Sequence, residues 1–362
     1  MLEEILFEVQ YVGDLGLACL LCLIAEQHGI ITAPSTDIED VANALEGICK
    51  DTFSLSVASL DCANGLTLDD FCQGVLVQPR TGYDSSPLNT PHHERPLPTF
   101  APISKTRPRV PSLDDRKIAN VVIARNLDQA DYYVQIQALE LIRTQRLFSH
   151  TAMHHSSKVF ILIALNGVDS DRRMDSHLND LFSICHHHDS SSEGSESDVT
   201  SIRRQPSLSD TASFSSAILS QPSRQVSYPV QSQIISHADL EQLRLLAHKV
   251  TITAEVSSYI HNVVITMRLH RYVAGGISAL ATRHLKNTVR ALAVLHGLPY
   301  VTPSLVALAV QKTYPHRLIL ATSETEMSLR WGSDPAAVAQ NMKGVTSQSA
   351  ILAVLDTVET PL

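Results

Sequence analysis

Cys19 and Cys22 stand three residues apart, and His186, His187 and His188 follow Cys185 much later in the chain. Thiols and imidazoles at such spacing are the raw material of zinc and redox sites. A zinc site asks for a second spaced pair, and none follows. Cys19-Leu-Leu-Cys22 lies inside an apolar run of helical period, which assigns both thiols to a core. The histidine tract abuts a serine-rich stretch and reads as a solvated strand end. His92-His93 and His154-His155 fall in or beside loops. Arg203-Arg-Gln-Pro-Ser207 and Arg224-Gln-Val-Ser227 place arginine ahead of serine as basophilic kinases require, and phosphate there would add charge beside Arg203 and Arg204.

The elements that would position these groups follow from periodicity. Residues 11–28 read as a helix with Leu15, Ala18, Cys19, Cys22 and Leu23 on one side. Gly29–Pro34 is a short buried strand, and a helix from Asp37 to Lys50 follows, capped by Ser35, Thr36 or Asp37. Leu55–Asp61 is a second strand, and Thr67 caps a helix running to Gln73. Asn120–Ala124 resumes the strands. Asp128, as a cap, opens a helix to Arg146, and Val159–Leu165 is the most apolar strand. Leu181–His187 closes the series. Strand and helix in alternation predict an α/β region with a parallel sheet.

Composition sets the limits. A chain of 362 residues suffices for two domains of roughly 100–200 residues each. Its net charge of −9 argues against a broad nucleic-acid or anionic-membrane surface. The longest apolar run, Leu15–Ala25, is shorter than the ~20 residues a membrane-spanning helix needs, and Glu3 and Glu4 do not suit a signal peptide. Six scattered cysteines fit a reduced compartment, so an intracellular, cytoplasmic protein is expected. Eight of the 17 prolines fall between Pro79 and Pro111, too dense for a packed element, and residues 189–232 are serine-rich with few large apolar groups.

Between Ser258 and Arg317 the signals sharpen. Ile260, Val263, Val264 and Met267 share one helical face, and Ala281, Leu285, Thr288, Val289, Leu292 and Leu295 share another that Gly297 terminates. Thr302-Pro303 caps and starts a third helix. The string Val273-Ala-Gly-Gly-Ile-Ser278, Gly297-Leu-Pro-Tyr-Val-Thr-Pro303 and Tyr314-Pro-His-Arg317 resembles the C-terminal lid of the MoxR and magnesium-chelatase ATPase-subunit branch of AAA+ proteins. In that branch Gly-x-Ser-Pro-Arg-Ala precedes the second lid helix and Gly-Arg-x-Tyr-Val-Thr-Pro the third. The only tryptophan, Trp331, lies beyond this lid and is expected to pack on a domain surface, with a helix or two in the tail.

The resemblance implies an AAA+-like fold, a parallel sheet with flanking helices followed by a small all-α lid domain. It also says where ATP chemistry belongs. A phosphate loop uses glycines, a lysine and a hydroxyl, but the corresponding turn here reads Ala33-Pro-Ser-Thr-Asp-Ile-Glu-Asp40, without glycine or lysine. Its three acids would repel phosphate. The acid pair expected at the next strand end is replaced by Arg125-Asn126. Asn166 matches the family's polar residue at the following strand tip. The family's Pro-Arg after Gly-x-Ser is Ala279-Leu280 here, and Arg283, one turn later, could stand in. Asp175–Phe182 resembles the Leu-Leu-Asp-Arg-Phe segment, with Asp180 near the place of the arginine finger. Asn166 and Arg283 are therefore the candidate ATP-site remnants, with no catalytic residue and no metal ligand assigned.

The expected organisation is a degenerate α/β core at 1–78 and 118–188, a proline-rich linker at 79–117, a serine-rich insert at 189–232, a helical lid at 233–321 and an extension at 322–362. The expected function is that of a catalytically degenerate AAA+ scaffold or regulatory module. Its partners would be proteins, in a homo- or hetero-oligomer of AAA+ type, with neither nucleic acid nor membrane. No cofactor is expected. The alternative is an ATP-driven motor subunit of a magnesium-chelatase-type complex, or a MoxR-like chaperone, and it alone would require ATP and Mg²⁺. A third reading makes the serine-rich insert a phosphorylation-controlled docking segment.

Overall fold

The computed structural model describes residues 12–63, 65–78, 116–149, 152–170, 172–188 and 235–361. The proline-rich stretch up to residue 115, the serine-rich insert, and Ser207 and Ser227 with it, lie outside the described residues.

Helix α1 (Asp14–Ala25) carries an almost unbroken apolar sequence and is buried on nearly all sides. It leads into β1 (His28–Ala33), followed by α2 (Ile38–Gly47), β2 (Val57–Asp61) and α3 (Leu68–Gly74). After the linker come β3 (Val121–Arg125), α4 (Tyr132–Thr144), β4 (Ile161–Gly167), α5 (Ser176–Leu181) and β5 (Phe182–His187). The five strands form one parallel sheet in the order β2-β3-β4-β1-β5, so β1 lies between β4 and β5.

The sheet is covered on both faces because its strands are apolar on both. On β4, Ile161, Ile163 and Leu165 join the core shared with α1, α2 and the lid, while Leu162 and Ala164 join that of α3, α4 and α5. This is the two-residue alternation of a strand serving two cores. Each fully buried leucine or isoleucine of this kind contributes about 1.5–3 kcal/mol of transfer free energy.

The lid contains four main helices rather than three. Helix α6 (His237–Lys249), which apolar periodicity did not mark, starts at a capping box in which Ser236 and Asp239 satisfy each other's backbone N–H. Helices α7 (Ala254–Leu269), α8 (Ala279–Leu295) and α9 (Pro303–Thr313) are capped by Thr253, Ser278 and Thr302, each accepting a backbone N–H. Gly297 ends α8 at φ +67°, the left-handed conformation expected of it. A two-stranded antiparallel ribbon, Val273–Gly275 with Ile319–Leu320, ties the α7–α8 loop to the chain after α9.

Two tail helices follow, α10 (Pro335–Met342) and α11 (Ser347–Thr357), and α11 buries Ala350, Ile351 and Val354 in the lid core. Trp331 does not pack on a surface as expected; it is 86% exposed. Two other expectations change. Helix α4 starts at Tyr132 after Asp131, so Asp128 is not its cap but a buried residue of the preceding turn. His154 is not in a loop: it is buried in an antiparallel ribbon, Arg146–Phe148 with Met153–His155. A polar residue inside a short ribbon leaves no period to read.

Candidate functional site

The turn from β1 to α2 is short and closed. Pro34 O accepts from Asp37 N at 2.9 Å, and Ala33 O accepts from Val168 N at 3.0 Å, which draws the loop after β4 against the end of β1. Ser35 Oγ donates to Asp169 Oδ2 at 3.3 Å. A Cβ on Gly167 would lie 2.7 Å from Ser35 Oγ, so the two loops touch where a phosphate loop would need open space. Glu39 and Asp40 occupy the first turn of α2 and favour its N-terminal dipole, an arrangement that disfavours a bound anion there.

Arg125, the last residue of β3, directs Nη1 to 3.8 Å from Glu39 Oε1. Next to it Asn126 takes φ +53° and donates from Nδ2 to Asp61 Oδ1 at 3.1 Å. Asn166, at the tip of β4, is buried and accepts on Oδ1 from Leu127 N at 3.1 Å. It therefore fixes the turn after β3. Arg283 is exposed on α8 and does not line the cleft described below, which Asn166 does line.

A second cluster joins core to lid. Arg317 is 3% exposed; it donates to Asp180 O at 3.0 Å and to Phe182 O, and its Nε lies 3.6 Å from Asp180 Oδ1. It also donates to His284 Nδ1 at 2.6 Å, which places the His284 proton on Nε2. Ser278, the α8 cap, donates to Asp180 Oδ1 at 2.7 Å. His316 Nε2 donates to Phe182 O at 2.9 Å, and Asn179 Nδ2 donates to His316 O at 2.9 Å. Burial, then the adjacent Arg317 charge, pushes His284 and His316 each down to about 3. Burial lowers Arg317 to about 10 against the opposing pull of Asp180, so it stays charged at neutral pH. Tyr314-Pro-His-Arg317 is legible as a motif; its partners on α5 and β5 are not, because they lie more than 130 residues away.

Between these clusters a cleft of about 490 Å³ opens at the C-terminal ends of β1, β4 and β5. Thr32, Asp128, Asn166 and His187 line it from the sheet side, and Arg172 and Arg173 from the loop after β4. In open α/β sheets ligands gather at this edge, where strand order reverses. Among the described residues no group of three or more His, Cys, Asp or Glu has the arrangement of a metal site. Of the cysteines, Cys185 lines the cleft, while Cys19 and Cys22 lie in the core at α1, with Cys19 Sγ 3.6 Å from Cys49 Sγ.

Comparison with known proteins agrees with this architecture. A family model described as an AAA lid domain matches residues 265–338. Maintenance of telomere capping protein 2 of Lachancea thermotolerans is 31% identical over 106 residues, which cover 28% of this chain and 37% of that relative. The match thus spans little more than a third of the curated protein. The crystal structure of a proposed ATPase from Cytophaga hutchinsonii superposes with a TM-score of 0.62 at 14% identity, over 99% of this chain and 98% of that one. A full-length MCM homolog from Methanopyrus kandleri gives 0.43 at 10% identity, over 81% and 52%. The first of these structures shows the fold: the chain has the AAA+ ATPase-like architecture, with a parallel five-stranded sheet and an AAA lid.

Proposed function

We propose that this AAA+-like chain is a catalytically degenerate relative of the MoxR and magnesium-chelatase branch, and that it works as a scaffold or regulatory module for protein partners. The observation that carries the reading is the closed Pro34–Asp37 turn. It has no glycine or lysine, holds Ser35 against Asp169, and is followed by an acidic first helical turn. Phosphate binding draws on backbone N–H groups and positive charge, and transition-state stabilisation draws on Mg²⁺ and arginine. At the end of β3 the acidic partner of Mg²⁺ is replaced by Arg125, which faces Glu39.

The core–lid contact supports the same reading. Arg317 of the lid faces Asp180 of the core, and Ser278 donates to the same carboxylate, so protein groups directly join core to lid. A direct core–lid contact of this kind suits a surface that other proteins read.

The test is calorimetric titration of the full chain with ATP and Mg²⁺ to millimolar nucleotide, with turnover measured in parallel. No heat of binding and no phosphate release are expected. Saturable binding accompanied by turnover overturns the proposal.

A further inference from the structure

The cleft at the ends of β1, β4 and β5 contains charges that the fold does not use. Asp128 is 6% exposed, and its Oδ1 is buried without a hydrogen bond from any described residue. A carboxylate oxygen withdrawn from water without a donor costs free energy, so such an atom marks a place for a donor from elsewhere. Asn166, also buried, spends Oδ1 on Leu127 N, while its amide nitrogen makes no hydrogen bond to a described residue.

At the exposed rim, the guanidinium groups of Arg172 and Arg173 form no ion pair with a described residue. The remaining charges of the cleft are committed: Arg317 faces Asp180. What is left is one negative group at depth and two positive groups at the mouth. The complement of that pattern has a cationic donor at one end and an anion at the other.

We propose that this cleft binds a small zwitterion whose ammonium or guanidinium head reaches Asp128 and whose carboxylate or phosphate tail meets Arg172 and Arg173. A cavity of about 490 Å³ is of the size that holds small molecules. The head gains a charge-assisted hydrogen bond at a buried acceptor, and the Asn166 amide offers an N–H to the neighbouring polar atom of the ligand. The rim arginines add long-range attraction for the tail and set orientation. The site is a binding site for a regulator, and no covalent step is attached to it. The inference stands independently of nucleotide binding, because the two titrations use different ligands and either can fail alone.

The experiment titrates the full chain calorimetrically with two probes, 4-aminobutyrate and O-phosphoethanolamine, whose tails separate carboxylate from phosphate. Ethylamine carries the head alone; acetate and inorganic phosphate carry the tail alone. At least one zwitterion is expected to bind saturably and more tightly than any one-ended compound. Asp128→Asn is expected to weaken it about tenfold or more, as loss of a buried charge partner does. Arg172→Gln with Arg173→Gln, on the exposed rim where folding is not at stake, should weaken it several-fold and steepen the loss with phosphate. A melting curve checks that Asp128→Asn remains folded; if it does not, the rim variant decides. Absence of saturable binding by both zwitterions up to about 10 mM overturns the proposal. So does binding matched by a one-ended compound, or binding indifferent to the rim substitutions.

Discussion

Arg317 of the lid sits with Nε 3.6 Å from Asp180 Oδ1 on α5, and from that position it also holds the carbonyls of Asp180 and Phe182. One buried guanidinium thus satisfies a helix end, a strand start and a carboxylate across the core–lid boundary. Arg317→Met removes these bonds and leaves the carbonyls short of donors. A loss of about 2–4 kcal/mol is expected in urea denaturation. Asp180→Asn, at a partly exposed site, should cost less, about 1 kcal/mol.

Gly276 follows from the same contact. Its φ is +100°, and a Cβ there would lie 1.9 Å from the Arg317 carbonyl oxygen. Gly276→Ala must therefore displace the backbone of Arg317 as well as strain its own. We expect a loss of about 2–4 kcal/mol in thermal denaturation. Gly275→Ala, with nothing within 4 Å and no positive φ, should stay within about 0.5 kcal/mol of wild type.

The buried histidines of the lid contact give stability a pH dependence of known sign. His284 and His316 titrate near 3 when folded and near 6.5 when unfolded, so the unfolded chain binds more protons between those limits. Their contribution is complete above pH 6.5 and is lost as pH falls toward 3, by up to about 1.4 kcal/mol per pH unit for each ring. Melting temperature measured from pH 7 to pH 4.5 should drop, and His316→Gln should flatten that drop.

The Arg125–Glu39 pair should contribute little to stability despite its informative position. Its separation is 3.8 Å and the Glu39 side chain is 80% exposed, so water and salt screen it. Glu39→Ala should change unfolding free energy by less than about 0.5 kcal/mol. A large loss in denaturant titration would show that Glu39 has a further partner.

The cysteines should be inert in the native state. Burial pushes Cys22 and Cys62 up to about 12 and Cys185 up to about 11, and the Cys49 thiol, then burial, raises Cys19 well above its ordinary value. Thiolate is the reactive form, so iodoacetamide at pH 7.5 should label the folded chain slowly and all six thiols in denaturant. Rapid native labelling, read by mass spectrometry, would contradict this packing.

Much of the fold is written locally. Thr67, Thr253, Ser278 and Thr302 cap helices because a hydroxyl beside a free N–H acts within a few residues. The strands around Ile123 and Ile163 are legible because continuous apolar runs of that length suit a sheet covered on both faces. Helix α6 carries no clean apolar period because Arg244 occupies a place on its buried face beside Leu240, Leu243 and Ala247; Arg244 is buried by donating to Leu23 O at 2.8 Å and facing Glu26. Asp128 was misplaced because an acid near a helix start has the same local signature whether it caps or turns inward.

By itself, then, the sequence determined the succession of the sheet strands and most of the helices, the starts of the helices capped by Thr67 and Thr302, the burial of Cys19 and Cys22, and the absence of glycine and lysine from Ala33–Asp40. These depend on period, side-chain chemistry and neighbours within a turn. Only the tertiary structure decided that Asp180 meets Arg317, that Arg125 meets Glu39, that Arg283 stays outside the cleft and that Asp128 lines it. Each of those facts is a meeting, or a failure to meet, between residues distant in the chain. Packing the lid and its helices against the sheet fixes it, and no local propensity encodes that step.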